Sequence, residues 1–290
     1  MMPRRPASGS LLVLLVPLVL LLLFPIDFAP GRYLVTYRAD RFEPWGPPRP
    51  GPSFNSDCLR SYYPRRVMTD AALEAGRIPL WDLSSFCGQP YLANYQSGVF
   101  YPVNLLLLPF SPERSLGLSV WIHLMIAGIG GMLLLRGLGL SPGVALIGGL
   151  LYAANGALAV RTGQVTMLAT PAWIPLVLHL ARRTARGAGA LPLALAYFCM
   201  VLSGFPPILL WATLLAAAWT LHEWLACRRE AGPLPLLRAG AGFLLGAGLA
   251  GVQLVPTAEF LLHSDRVRFT YQELLSSSWH PAALLRLVVP

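Results

Sequence analysis

Apolar residues come in long blocks along this chain, not in the short periods of a soluble fold. Seven such runs, at 11–28, 116–135, 142–160, 165–181, 190–203, 205–225 and 236–255, are set apart by polar loops. In a bilayer a segment has to satisfy its own backbone hydrogen bonds, so these runs read as transmembrane helices. Arg4/Arg5, Arg136, Arg182/Arg183/Arg186 and Arg228/Arg229 then fall on one side of the membrane in a single topology. The positive-inside rule makes that side the cytoplasm and leaves the N-terminus there. The first run, with Arg4 and Arg5 before it, has some character of a signal peptide. It ends at Pro25-Ile26-Asp27-Phe28 with no A-x-A-like cleavage site, so an uncleaved anchor is expected.

The fold class that follows is an all-α polytopic membrane protein in four parts. These are an N-terminal anchor (1–28), a loop outside the cytoplasm (29–115), a six-helix region (116–255), and a second outside loop with the start of a further helix (256–290). Composition agrees: 55% of residues are hydrophobic and 12% charged, with mean hydropathy +0.58, too apolar for a soluble domain of this length. The net charge of +9 is carried by 22 basic residues, all of them arginine. Topology already explains the cytoplasmic ones and no concentrated basic face remains, which argues against nucleic acid as a partner. Gly128, Gly130 and Gly131 on one run and Gly148/Gly149 on the next permit close helix approach, while Pro171, Pro175, Pro206 and Pro207 mark kinks or span edges.

The first outside loop is too long for a mere connector. It holds nine arginines, which do not contradict the topology because long loops translocate largely regardless of charge. Residues 43–53 form a proline-rich, extended spacer. From Cys58 to Ala75, apolar residues recur at helical spacing, with an interruption at Pro64 and a C-cap at Gly76. This predicts an amphipathic helix, in one or two pieces, lying on the outer membrane surface. The apolar stretch from Phe100 to Leu108 is too short to span and is expected to dip into the interface or pack on the bundle.

Four strings of residues in this order carry a resemblance. They are Ser56 to Pro64 with Gly76-Arg77-Ile78-Pro79-Leu80-Trp81-Asp82, then Gly88-Gln89-Pro90-Tyr91-Leu92-Ala93-Asn94-Tyr95-Gln96, then Phe100-Tyr101-Pro102-Val103-Asn104, and last Gln253 to Phe260 with His263-Ser264 and Arg266. From about residue 55 onward the chain resembles the YfhO family of bacterial membrane proteins. The resemblance implies a GT-C-like transmembrane helix bundle in the bacterial cell membrane. Its activity would be transfer of a sugar from a polyprenyl-phosphate carrier to a cell-envelope glycopolymer or lipid, on the side away from the cytoplasm. The proline-rich stretch before Asp57 is longer than the family's pattern. The family also continues beyond the point matched by Pro290, so the resemblance implies a C-terminally truncated member.

The chemistry of such a transfer can be set out independently. An acceptor hydroxyl attacking an anomeric carbon needs a carboxylate base, and the departing lipid phosphate needs cations or hydrogen-bond donors. One carboxylate suffices for a single inverting displacement. Asp57, at the head of the amphipathic helix, is the candidate base, although Asp before a helix is also a common N-cap. Asp82, after Trp81, reads better as a turn residue. His263 and Arg266 are candidates for the donor phosphate. Glu259 is four residues before His263 on the same helix face, and Gln96 is a candidate sugar ligand; a solvated helix and a turn cap are the plain alternatives. Arg60, Arg65 and Arg66 could bind anionic membrane lipids by charge alone.

Cys58 and Cys87 both lie outside, where a disulfide could form, but spacing alone leaves the pairing open. A divalent metal at Asp57 is compatible with the GT-C class, though no nucleotide or zinc motif is present. Two other readings stand beside the transferase: an envelope-lipid transporter or flippase, and a non-catalytic membrane scaffold. The spans hold no acid except Asp27 and Glu223, both near span ends, which counts against ion-coupled transport.

Overall fold

The computed structural model describes residues 12–23, 57–264 and 270–276. The proline-rich spacer, Asp27 and Arg266 lie outside the described residues. After a 3-10 turn at Leu12–Leu14 come α1 (Leu15–Leu23), a π-helical turn (Cys58–Tyr62) and α2 (Tyr63–Glu74). A two-stranded antiparallel hairpin follows, β1 (Trp81–Asp82) paired with β2 (Gln89–Pro90), Trp81 opposite Pro90. A 3-10 turn (Tyr95–Ser97) and the short α3 (Pro102–Leu106) complete the segment before the bundle. The bundle consists of α4 (Pro112–Gly137), α5 (Pro142–Ala153), α6 (Gly156–Ala159), α7 (Val165–Ala185), α8 (Leu191–Leu202), α9 (Pro206–Ala231), α10 (Leu234–Leu249) and α11 (Gly251–Leu262); α12 (Tyr271–Ser276) lies beyond it.

Four spans, Pro112–Gly137, Pro142–Gly163, Val165–Ala185 and Pro206–Cys227, are long and apolar enough to cross a membrane. At 1.5 Å per residue a 26-residue helix such as α4 reaches about 39 Å, more than a hydrocarbon core of about 30 Å. The chain is an all-α membrane protein. Two expectations need correction. The run 236–255 is not one helix: α10 and α11 meet at Ala250 with a bend of 70°. The run 190–203 gives the 12-residue α8, about 18 Å and too short to span alone. It is instead a core helix, with Leu193, Ala194, Met200 and Val201 buried.

Helix α7 is the centre, packing against α4, α8, α9 and α10. On one side Val16 and Leu20 of α1 join Leu124 and Ala127 of α4, Ala145 and Ala153 of α5 and Leu168 of α7 in one core. On the other, Val177, Leu193, Met200, Ala212 and Ala239 form a second core, into which Tyr101, Val103 and Leu107 insert from α3 and its flanks. The Phe100–Leu108 stretch therefore packs on the bundle. The opposite faces expose Leu18, Leu22, Ile147, Leu151, Leu214, Leu237, Leu244 and Val255, a surface suited to lipid and costly in water.

Glycine makes the α4–α5 contact possible. A Cβ on Gly149 would stand 2.8 Å from the backbone nitrogen of Met132, and one on Gly130 would stand 2.8 Å from that of Leu176 on α7. The small residues let backbones touch, as expected where helices associate by packing in lipid.

The two ends of the bundle differ in chemistry. Residues 57–111 cover the end where α4 and α7 begin and α8 finishes, through Tyr63 Oη donating to Glu113 Oε1 (2.8 Å), Tyr62 Oη with Thr166 Oγ1 (2.8 Å) and Tyr95 Oη donating to the Val201 carbonyl (2.5 Å). At the other end Glu223, 2% exposed, receives Arg182 and, at 2.8 Å, Arg186. Arg136 donates there to the Leu140 carbonyl at 2.7 Å. Arg136, Arg182 and Arg186 thus sit at the end opposite the covering loop.

Candidate functional site

The site is built on the helical run 57–74. Pro64 lacks an N–H, and the chain takes a π turn over Cys58–Tyr62 before settling into α2. Gly76, at φ +67°, ends the helix: its N–H bonds the Leu73 carbonyl and that of Arg77 the Ala72 carbonyl, both at 2.9 Å. The predicted helix is therefore present in two pieces. One face of it packs on the protein: Cys58, Tyr62, Arg66, Thr69 and Asp70 are buried, while Val67 is exposed. Burial pushes the Cys58 thiol up to about 11.

Two spaces flank this run. A cleft of about 790 Å³ lies between α2 and the hairpin, bordered by Arg60, Tyr63, Arg65, Trp81, Asp82 and Gln89 among others. Aromatic faces beside amide and charged groups suit a polar ligand with apolar ring faces. Beneath α2 is a smaller chamber of about 50 Å³, bordered by Arg65, Arg66, Thr69, Ser97 and Thr166 among others. Arg65 borders both spaces, and its Nη1 donates to Gln96 Oε1 at 3.0 Å. Burial lowers the Arg65 pKa, while the charges of Tyr62, Tyr91, Asp57 and Asp82 act in the other direction.

Arg66 is held at two of its three guanidinium nitrogens. Its Nε pairs with Asp70 Oδ2 at 2.8 Å and its Nη1 donates to the Asn104 carbonyl at 2.8 Å. Burial raises the Asp70 pKa against the opposing pull of Arg66. Arg66 Nη2, Asp70 Oδ1 and Ser97 Oγ are buried without a hydrogen-bond partner. Tyr91 spans the site from the hairpin side: its hydroxyl donates to the Arg65 carbonyl at 2.6 Å and shares a 2.7 Å bond with Thr69.

Asp57 does not act as an N-cap; its side chain caps nothing. Instead Asp57 Oδ2 accepts from Gln164 Nε2 at 3.0 Å, a contact across 107 residues to the start of α7. Among the described residues no three His, Cys, Asp or Glu side chains gather to hold a metal. Asp82 is a turn residue, accepting from the backbone N–H and hydroxyl of Ser84 at 2.8 and 2.6 Å. The Ser84 hydroxyl is the main reason its pKa falls to about 2.

Gln96 is at the site, turned to Arg65, while Asn94 caps the Tyr95–Ser97 turn through the Gln96 N–H at 3.1 Å. Glu259 and His263 are exposed and border neither space; the His263 ring bonds the Glu259 carbonyl at 2.9 Å, not its carboxylate. Cys58 and Cys87 are both free, one buried and one exposed. The C-terminal part reaches the site through other residues. Gln253 Nε2 donates to the Leu92 carbonyl at 2.8 Å and Thr257 Oγ1 to that of Ala93 at 2.9 Å, so α11 braces the segment that carries Gln96.

Sequence reasoning missed Gln164, Thr166, Asp70 and Ser97. Asp70 alone had a local signal, its place four residues after Arg66 on a helix. Protein-family models, curated proteins and solved structures yield no match to this chain.

Proposed function

We propose that this chain is a GT-C-type membrane glycosyltransferase of the YfhO kind, moving a sugar from a polyprenyl-phosphate carrier to an envelope polymer or lipid. The proposal places the reaction outside the cytoplasm of a bacterial cell. The observation that carries it is the state of Asp57: a carboxylate at the head of the π turn that leads into α2, unused as a cap and oriented by the Gln164 amide. In the reaction, Asp57 takes the proton of the acceptor hydroxyl as its oxygen bonds to the anomeric carbon. The bond from that carbon to the phosphate oxygen breaks, the electron pair leaves with the polyprenyl phosphate, and the configuration inverts. Gln164 keeps one carboxylate oxygen fixed so that the other faces the acceptor. The cleft along α2, with Trp81, Tyr63 and Gln89, has the size and lining for a sugar; Asp57 borders neither it nor the chamber, so the proposed reaction has the acceptor hydroxyl meet Asp57 beyond the Arg60 end of the cleft.

The test is transfer of radiolabel from a polyprenyl-phosphate sugar in membranes holding the chain or its Asp57→Asn variant. Transfer that disappears in a folded variant supports the proposal. Equal transfer by both would remove Asp57 from catalysis, and no transfer by either would favour the flippase or scaffold.

A further inference from the structure

The chamber beneath α2 holds an unusual balance of groups. Arg66 is 7% exposed and its Nη2 has no partner; Ser97, also 7% exposed, has an unpartnered hydroxyl. A guanidinium nitrogen can only donate, so what is missing at Arg66 is an acceptor. Arg66 is paired with Asp70, whereas the Arg65 side chain donates to the neutral amide of Gln96 and forms no ion pair among the described residues, Asp57 and Asp82 acting on it only from a distance. A water molecule would supply the acceptor and leave the charge. A small oxyanion would supply both. The space of about 50 Å³ exceeds what one water needs and matches a group of a few heavy atoms.

We infer that this chamber is a seat for a phosphate group, bound by Arg65, Arg66 Nη2 and the Ser97 hydroxyl. Thr69 and Thr166 border the same space and offer further hydroxyls. Because Arg65 also borders the outer cleft, a phosphate monoester would leave its substituent running past the Arg65–Gln96 contact into that cleft. The ligand chemistry is therefore a phosphate monoester or free phosphate. Its use as the seat of the polyprenyl phosphate that leaves during sugar transfer rests on the transferase reading, whereas the seat itself does not. It also moves the phosphate away from His263, which borders neither space.

The experiment is equilibrium binding of radiolabelled orthophosphate, and separately of a short-chain prenyl monophosphate, to the full chain purified in phosphate-free detergent. The Arg65→Gln and Ser97→Ala variants are run alongside, with thermal unfolding to show that each is folded. A charge-assisted hydrogen bond is worth enough for Arg65→Gln to weaken binding about tenfold or more, and Ser97→Ala about threefold. Tighter binding of the prenyl ester than of orthophosphate supports the seat and makes a lipid headgroup its source; equal binding supports it with free phosphate as the source. No saturable binding of either probe at about 1 mM, or binding unchanged in both variants, overturns it and leaves a hydrated chamber. Phosphate binding without sugar transfer would sink the transferase reading and keep the seat, and transfer without phosphate binding would do the reverse.

Discussion

Asp82 shows how a single side chain can be read from both ends of the argument. Its place after Trp81 marks a turn acid, and the turn is made by the Ser84 N–H and hydroxyl. These bonds favour the ionised form, so the folded pKa of about 2 lies below the ordinary 3.8. A depressed carboxylate stabilises the fold above its unfolded pKa and loses that contribution as pH falls through the folded one. The hairpin should therefore loosen between about pH 4 and pH 2. Pepsin, active in this range, should cut the exposed Leu83–Phe86 tip several-fold more slowly in the native chain than in Asp82→Asn at the upper end of the window. The difference should vanish at the lower end; a constant ratio would mean the turn does not depend on the charge. Other residues were illegible for a plain reason. Asp57 meets Gln164 across 107 positions, and Ser97 becomes an orphaned donor only because α11 and α2 enclose its segment, facts that no local pattern encodes.

At the scale of elements, hydropathy located helices well and their directions poorly. The runs at 116–135 and 165–181 lie within α4 and α7, and the run at 190–203 matches α8 to within a residue. The run at 236–255 hides a 70° bend because apolarity continues through Ala250 without a proline at the break; a hydropathy window records content, not course. The glycine pattern was more telling, since it predicts contact between backbones. Its consequence is a contrast of sign. Gly149→Ala would drive a methyl against the Met132 backbone nitrogen and the Gly128 carbonyl, at a cost of about 1–3 kcal/mol. Gly240→Ala, with no neighbour within 4 Å in the helix α10, should instead gain about 0.5–1 kcal/mol from reduced backbone freedom. Thermal unfolding in detergent, followed by helical circular dichroism, should move down for the first and up for the second. Equal shifts would mean that the α4–α5 contact is not close-packed.

For the whole molecule, the separation of the loop 57–111 from the arginine end fixes which residues must share a compartment. Glu223 is an acid in a span, and both its carboxylate oxygens are paired, with Arg182 and Arg186. The pair of arginines on Glu223 stands at the end of the bundle away from the loop 57–111. The opposite end carries Cys87, exposed at the hairpin tip. The four cysteines make the sidedness measurable without engineering a tag. Cys58 shares the loop end but is buried, with its thiol raised to about 11, and Cys227 lies at the arginine end, its thiol donating to the Glu223 carbonyl at 2.8 Å. A thiol reagent that cannot cross membranes should therefore label intact cells at Cys87 alone, and Cys87→Ser should remove the label. Cys58 should stay unlabelled before and after lysis, because thiolate is the reactive form and burial suppresses it, and breaking the cells should add label at Cys227. Labelling of Cys87 only after lysis would invert the topology, place the cleft and chamber in the cytoplasm, and remove lipid-linked donors presented on the outer face from consideration.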